Sequence, residues 1–106
     1  MLITEMGEAR MQVTVRLTGP FRKYASGEGT SLALSLDEGA TVRQALHALG
    51  VLLGPPFVAE VVEPLLSGAA PGILLLNRHN LRPPNGLEST LHDGDVLSLV
   101  PPMGGG

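Results

Sequence analysis

The chain finishes Pro101-Pro102-Met103-Gly104-Gly105-Gly106, and this ending is where residue type and order suit a chemistry. Three successive residues without a β-carbon allow close approach to the backbone and leave a terminal α-carboxylate with no side-chain bulk beside it. Activation of a carboxylate inside a narrow channel needs both properties, with Gly106 as the reacting residue and Gly104 and Gly105 as the stretch the channel closes on. Pro101 and Pro102 cannot donate backbone hydrogen bonds, so strand pairing should cease there and the tail should leave in an extended form. The residues alone leave a second reading open, a flexible glycine-rich end that carries no chemistry.

Other polar residues form no competing constellation. His47, His79 and His92 lie in separate segments without a second ligand at metal spacing, so no metal site is expected. His92-Asp93-Gly94-Asp95 reads as a turn in which the Asp side chains accept backbone N–H groups and Gly94 takes unusual backbone angles. No nucleophile, base and orienting group can be assembled. The absence of cysteine removes a disulfide framework, a thiolate metal site and a catalytic thiol, so any sulfur handled here must be attached elsewhere. A net charge of −3, with seven basic residues scattered from Arg10 to Arg82, provides no cationic stripe for a phosphate backbone, and nucleic acid is not expected as a direct partner. Apolar runs such as Ile73 to Leu76 fall far below the roughly 20 residues that span a bilayer. The first ten residues lack the pattern of a secretory signal. Cytoplasm, with no membrane partner, is the expected compartment.

Positioning such a tail requires a compact support, and 106 residues fit one domain. With 43% hydrophobic but 3% aromatic residues, its core must be largely aliphatic. Residues 1–10 lack periodicity and read as an N-terminal extension, followed by a domain over 11–100 and the tail over 101–106. Val13, Val15 and Leu17 alternate with Thr14, Arg16 and Thr18, the period of a half-buried strand. A second alternating run with Leu32, Leu34 and Leu36 inward makes a hairpin with a long loop. Thr41 and Gln44 form a capping-box pattern. A helix is predicted from there to about Leu49 through Val42, Ala45, Leu46 and Leu49, with Gly50 as a left-handed stop. Phe57, Val61 and Leu65 suggest a second short helix whose last turn Pro64 disturbs. Ile73 to Leu76 reads as a buried central strand, Asn77 to Asn80 as a polar turn, Leu81 as the start of a short extended piece, and Val96 to Val100 as the last strand. This order predicts an α+β domain, a mixed sheet curling around one helix.

Leu91-x-Asp93-Gly94-Asp95, the following strand and Pro101-Pro102-x-x-Gly105-Gly106 resemble the ending of the molybdopterin synthase small-subunit family, one of the ubiquitin-like sulfur carriers. Pro71-Gly72-Ile73, the strand through Leu76, Asn77, Asn80, Gly86-Leu87 and Thr90 resemble its central region, so the likeness covers most of 11–106. It implies a ubiquitin-like β-grasp fold and a carrier that holds no permanent cofactor and is not itself catalytic. An adenylyltransferase of the ubiquitin-activating type would use ATP to adenylate Gly106, and a sulfur donor system would convert it to a thiocarboxylate. The large subunit of molybdopterin synthase would then receive sulfur for a pterin in molybdenum-cofactor biosynthesis. Val100 and Leu81 are expected as exposed apolar docking contacts beside the tail. Arg78 departs from a glycine common in relatives and predicts a costlier turn, and Gly104 stands where alanine is common. Rival destinations are tRNA thiolation, thiamine or cysteine synthesis, and attachment to protein lysines. A rival of another class is a β-grasp binding module that makes no use of its C-terminus.

Overall fold

The computed structural model describes residues 10–25, 31–69, 72–82 and 85–101. Alternation in the first run produces β1 (Arg10–Leu17), with Met11, Val13, Val15 and Leu17 buried. It pairs antiparallel with β2 (Ser31–Asp37) from Arg10 opposite Asp37 to Arg16 opposite Ser31. A 3-10 turn over Gly19–Tyr24 follows β1 and buries Phe21. The sheet is completed by β3 (Ile73–Leu76), β4 (His79–Leu81) and β5 (Val96–Val100), in the order β2-β1-β5-β3-β4. β5 runs parallel to β1 and antiparallel to β3, which makes the sheet mixed.

Helix α1 (Val42–Leu53) packs on one face of this sheet. Its start is the expected capping box: the Gln44 N–H donates to Thr41 Oγ1 at 3.3 Å, and the Thr41 N–H donates to Gln44 Oε1 at 2.8 Å. Val42, Ala45, Leu46 and Leu49 are buried as their spacing requires. Its end differs from the sequence expectation. Gly50 does not stop the helix, which runs on to Leu53 and is terminated by Gly54 at φ 99°. Gly50 instead makes room for a neighbour, because a β-carbon there would lie 2.8 Å from Val58 Cγ2. Helical continuation also leaves Val51 and Leu52 exposed.

The second helical segment is continuous where Pro64 was expected to disturb it. Short helices α2 (Pro55–Phe57) and α3 (Glu63–Leu66) are joined by a π-helical turn over Val58–Val62, in which the Glu63 N–H reaches back to the Val58 carbonyl. A proline in a regular helix loses one N–H and crowds the carbonyl four residues earlier. The widened turn immediately before Pro64 relieves both constraints, so Phe57, Val61 and Leu65 reach the core together.

Two strand expectations are revised. β3 is neither central nor buried on both faces, since of its four residues Leu74 alone is buried. All helical segments with buried residues share the core with Leu74, Leu97 and Leu99, and the opposite face of β3 has no second layer among the described residues. The polar turn contracts to Asn77 and Arg78, and Leu81 ends a strand rather than beginning one. Leu87 and Leu91, with no periodic pattern to announce them, are also core residues. The Leu91 N–H donates to the Ala40 carbonyl and the Val42 N–H to the Ser89 carbonyl, tying the start of α1 to the approach to β5.

Packing dominates this stability. Truncating a buried Leu costs about 2–5 kcal/mol, whereas exposed ion pairs such as Arg10–Asp37 and Arg43–Glu88 contribute about 0–1 kcal/mol. Replacing Thr41 by Ala removes half of the capping box and should destabilise the domain by roughly 0.5–2 kcal/mol, read as a lowered denaturation midpoint; an unchanged midpoint would refute the cap's contribution.

The chain's single tyrosine, Tyr24, stacks edge-on against Phe57 and donates its hydroxyl to Glu60. Desolvation, then the hydrogen bond and negative charge of Glu60, push its pKa up to about 12. Because the folded value lies above the unfolded one, the associated stability is complete below about pH 10 and is lost as pH rises toward 12. Phenolate absorbance should therefore titrate near 12 in the native protein, and Glu60→Gln should move the midpoint down.

Candidate functional site

The site is built around the end of the middle strand. Leu97 and Leu99 of β5 point into the core and are buried, while Val96, Ser98 and Val100 alternate onto the open face and are half-buried. Register completes this face: Ile73 lies opposite Val100, Leu75 opposite Ser98, Thr14 opposite Val96 and Arg16 opposite Ser98. Ile73 and Val100 therefore form an apolar pair where the strand ends, Leu75 continues it beside Ser98, Val96 lies at the far end of β5, and polar Thr14 and Arg16 border this face. Val100, expected as an exposed contact, is half-buried on this open face. Ile73 and Leu75 were not anticipated there, because a continuous apolar run does not disclose which residues face the core.

Leu81 is not part of this surface. It pairs opposite Leu74, shares that residue's core-facing side and is 8% exposed. The turn over Asn85–Glu88 closes over it, with Gly86 so near that a β-carbon would lie 3.1 Å from Leu81 Cβ. Its expected role as an exposed docking contact is thereby overturned.

The tail's root is anchored on the β1 side. Both the backbone N–H and the Oγ1 hydroxyl of Thr18 donate to the Leu99 carbonyl, at 3.1 and 3.2 Å. Pro101 follows Val100 outside the strand, as its missing N–H demands. Gly104, Gly105 and Gly106 lie outside the described residues, as do 1–9 of the expected N-terminal extension; Arg10 already belongs to β1.

The opposite end of β5 is ordered by side chains that the sequence suggested for a turn. Asp93 Oδ1 accepts the Gln12 N–H at 2.7 Å, Asp95 Oδ2 accepts the His92 N–H at 2.9 Å, and Gly94 has φ 88°. Asn77 joins this network: its Nδ2 donates to Asp95 Oδ1 and its Oδ1 accepts the Val96 N–H. The left-handed backbone of the β3–β4 turn falls on Asn77, at φ 58°, and not on Arg78. Asn tolerates that conformation and its side chain compensates for it, so Arg78 carries none of the expected cost. Among the described residues, no three or more His, Cys, Asp and Glu side chains come together as a metal-binding group, and no helix is long and apolar enough to cross a membrane.

The ThiS family profile matches residues 15–106, nearly the whole domain and its tail. The chain belongs to the ThiS family. Among curated protein sequences, none matches it. Three solved structures place the fold among its relatives. Small archaeal modifier protein 1 of Methanosarcina acetivorans is 26% identical, with 92% of this chain and 99% of that one covered at a TM-score of 0.67. The HVO 2177 protein of Haloferax volcanii is also 26% identical, over 92% of this chain and 88% of that one, at 0.68. A chain of the complex of subunits 1 and 2 of the molybdopterin-converting factor from Helicobacter pylori matches at 27% identity, with 91% of this chain and 100% of that one covered, at 0.52. The fold is the ubiquitin-like β-grasp, and this ThiS-family chain is a ubiquitin-like protein of the sulfur carrier and modifier group.

Asn77→Ala removes the Val96 contact and places a residue with no compensating side chain in the left-handed region, so it should destabilise by about 1–3 kcal/mol. Arg78→Gly should fall within about 0.5 kcal/mol of wild type. Chemical denaturation of the pair checks the assignment of strain; a larger loss for Arg78→Gly would reverse it.

Proposed function

We propose that this chain is a sulfur carrier that works through Gly106, donating sulfur to a pterin in molybdenum-cofactor biosynthesis as the small subunit of molybdopterin synthase. The observation that carries the reading is a Pro-Pro-x-x-Gly-Gly ending on the middle strand of a ThiS-family domain, issuing beside an open apolar face. A partner adenylyltransferase of the ubiquitin-activating type supplies the catalysis. The Gly106 carboxylate attacks the α-phosphorus of ATP and expels pyrophosphate, which turns a poor acyl electrophile into one with AMP as a good leaving group. A sulfur donor then displaces AMP, and the resulting thiocarboxylate is the sulfur nucleophile. Gly104 and Gly105 keep the tail narrow enough for close enclosure. The carrier contributes no acid, base or metal of its own to these steps and works in the cytoplasm.

The large synthase subunit as partner is supported by the Helicobacter pylori relative, whose structure is a complex of subunits 1 and 2. Val100, with Ile73 and Leu75 beside it, is the surface on which the partners dock. A second reading, attachment of the terminal glycine to protein lysines, is favoured by the similarity to small archaeal modifier protein 1. Both use the same acyl-adenylate and differ in the nucleophile that consumes it.

Intact-mass spectrometry after incubation with ATP, the cognate adenylyltransferase and a sulfur donor should show one oxygen-to-sulfur exchange on the C-terminal peptide. Deleting Gly106 should abolish this loading and leave the fold unchanged; persistent loading of the deletion would overturn the assignment. Val100→Asp should weaken binding to the adenylyltransferase by introducing a charge into the apolar patch. Sulfur delivery to a pterin with the large subunit present, against conjugates on lysines, separates the two readings.

A further inference from the structure

Two glycines far apart in sequence close on the last residues of β5. Gly19 follows β1 and Gly72 precedes β3, the strands that flank β5 on opposite edges. A β-carbon on Gly19, whose φ is 59°, would lie 2.9 Å from Pro101 Cγ. A β-carbon on Gly72 would lie 2.7 Å from the Val100 carbonyl oxygen and 2.6 Å from Phe21 Cζ. The Phe21 ring therefore extends from the turn after β1 to the residue before β3 and links the two sides. It is 7% exposed and held by its own N–H to the Thr18 carbonyl, while Thr18 grips the Leu99 carbonyl through two donors. The Leu99 carbonyl, the Val100 carbonyl and the Pro101 ring are thus approached in succession by Thr18, Gly72 and Gly19, and neither glycine can gain one carbon without displacing that segment or its packing.

We propose that Thr18, Gly19, Phe21 and Gly72 form a collar that sets the direction in which the chain leaves the domain, making Gly19 and Gly72 positioning residues for delivery of the Gly106 carboxylate. The delivery half of this inference rests on the sulfur-carrier reading; the collar itself does not. A docked domain presents its terminal carboxylate to an activating site only along the vector set at Pro101, and a misplacement of about 1 Å at a reacting group can cost 100-fold in rate. Conformational freedom added at the root would have to be removed again whenever the tail is enclosed.

The absence of cysteine allows a single nitroxide label on Met103→Cys, with paramagnetic broadening of domain amides reporting where the tail root points. Gly72→Ala should redistribute that broadening. Without the label, the same variant should load sulfur with kcat/KM lowered about 10- to 100-fold, a loss larger than any fall in its affinity for the adenylyltransferase, which is measured on the same variant because Gly72 adjoins Ile73 and Val100 of the docking surface. Gly19→Ala should behave similarly, and combination with Pro101→Ala, which removes the ring atoms it meets, should relieve the steric part of the loss and leave the strain of a left-handed backbone at φ 59°. Phe21→Leu breaks the link without adding an atom and carries the same expectation should Gly72→Ala fail to fold. An unchanged broadening pattern in a folded collar variant overturns the collar, whatever the loading result. Redistributed broadening with wild-type loading overturns its positioning role. A wild-type protein that never loads overturns the sulfur-carrier reading instead, and the label experiment still decides the collar.

Discussion

The placement of β5 between β1 and β3 is the constraint on which the other features depend. Its backbone is paired on both edges, parallel on one and antiparallel on the other, and its Leu97 and Leu99 are buried. A strand held in this way has little freedom to slide, because a one-residue slip would carry the leucines to solvent and Val96, Ser98 and Val100 into the core. Strand pairing therefore holds β5 firmly up to Val100 and ceases at Pro101, which has no backbone donor.

A one-sided helical layer follows from the same arrangement and leaves the other face of the sheet open among the described residues. Helix α1 and the α2–α3 segment bury one face of the sheet, so the apolar residues of β3 and β5 that alternate outward have no intramolecular cover among the described residues. Ile73, Leu75 and Val100 are half-buried by their neighbours toward the end of β5, and Val96 is half-buried at its start. On the sulfur-carrier proposal, a few apolar anchors on such a surface would suffice to align a partner.

The helical layer is kept close by two local departures from regularity. Gly50 sacrifices about 1 kcal/mol of helix propensity at a point where Val58 would otherwise be pushed away. The π-helical turn before Pro64 changes the phase of the second segment so that Phe57, Val61, Val62 and Leu65 all reach the core. These devices resolve a conflict between packing and local preference, and sequence rules that treat glycine and proline as terminators read them as endings.

Where a signal was local, the sequence by itself determined the outcome. The alternation in β1 and β2, the Thr41–Gln44 capping box, the Asp93-Gly94-Asp95 turn and the proline that ends β5 each depend on residues within one or two turns of chain. The glycine ending and the family resemblance were also legible, because they reside in residue identity and order. Tertiary structure alone decided which face each apolar residue of Ile73–Leu76 took, since a continuous run has no alternation to orient it, and only pairing with β5 assigned Leu74 inward and Ile73 outward. It also buried Leu81 through its register with Leu74, moved the end of α1 from Gly50 to Gly54 by packing Val58 against the earlier glycine, and brought Gly19, Phe21 and Gly72 to the root of the tail. Those contacts join residues separated by tens of positions, and no local pattern encodes a distance that exists only after the sheet has formed.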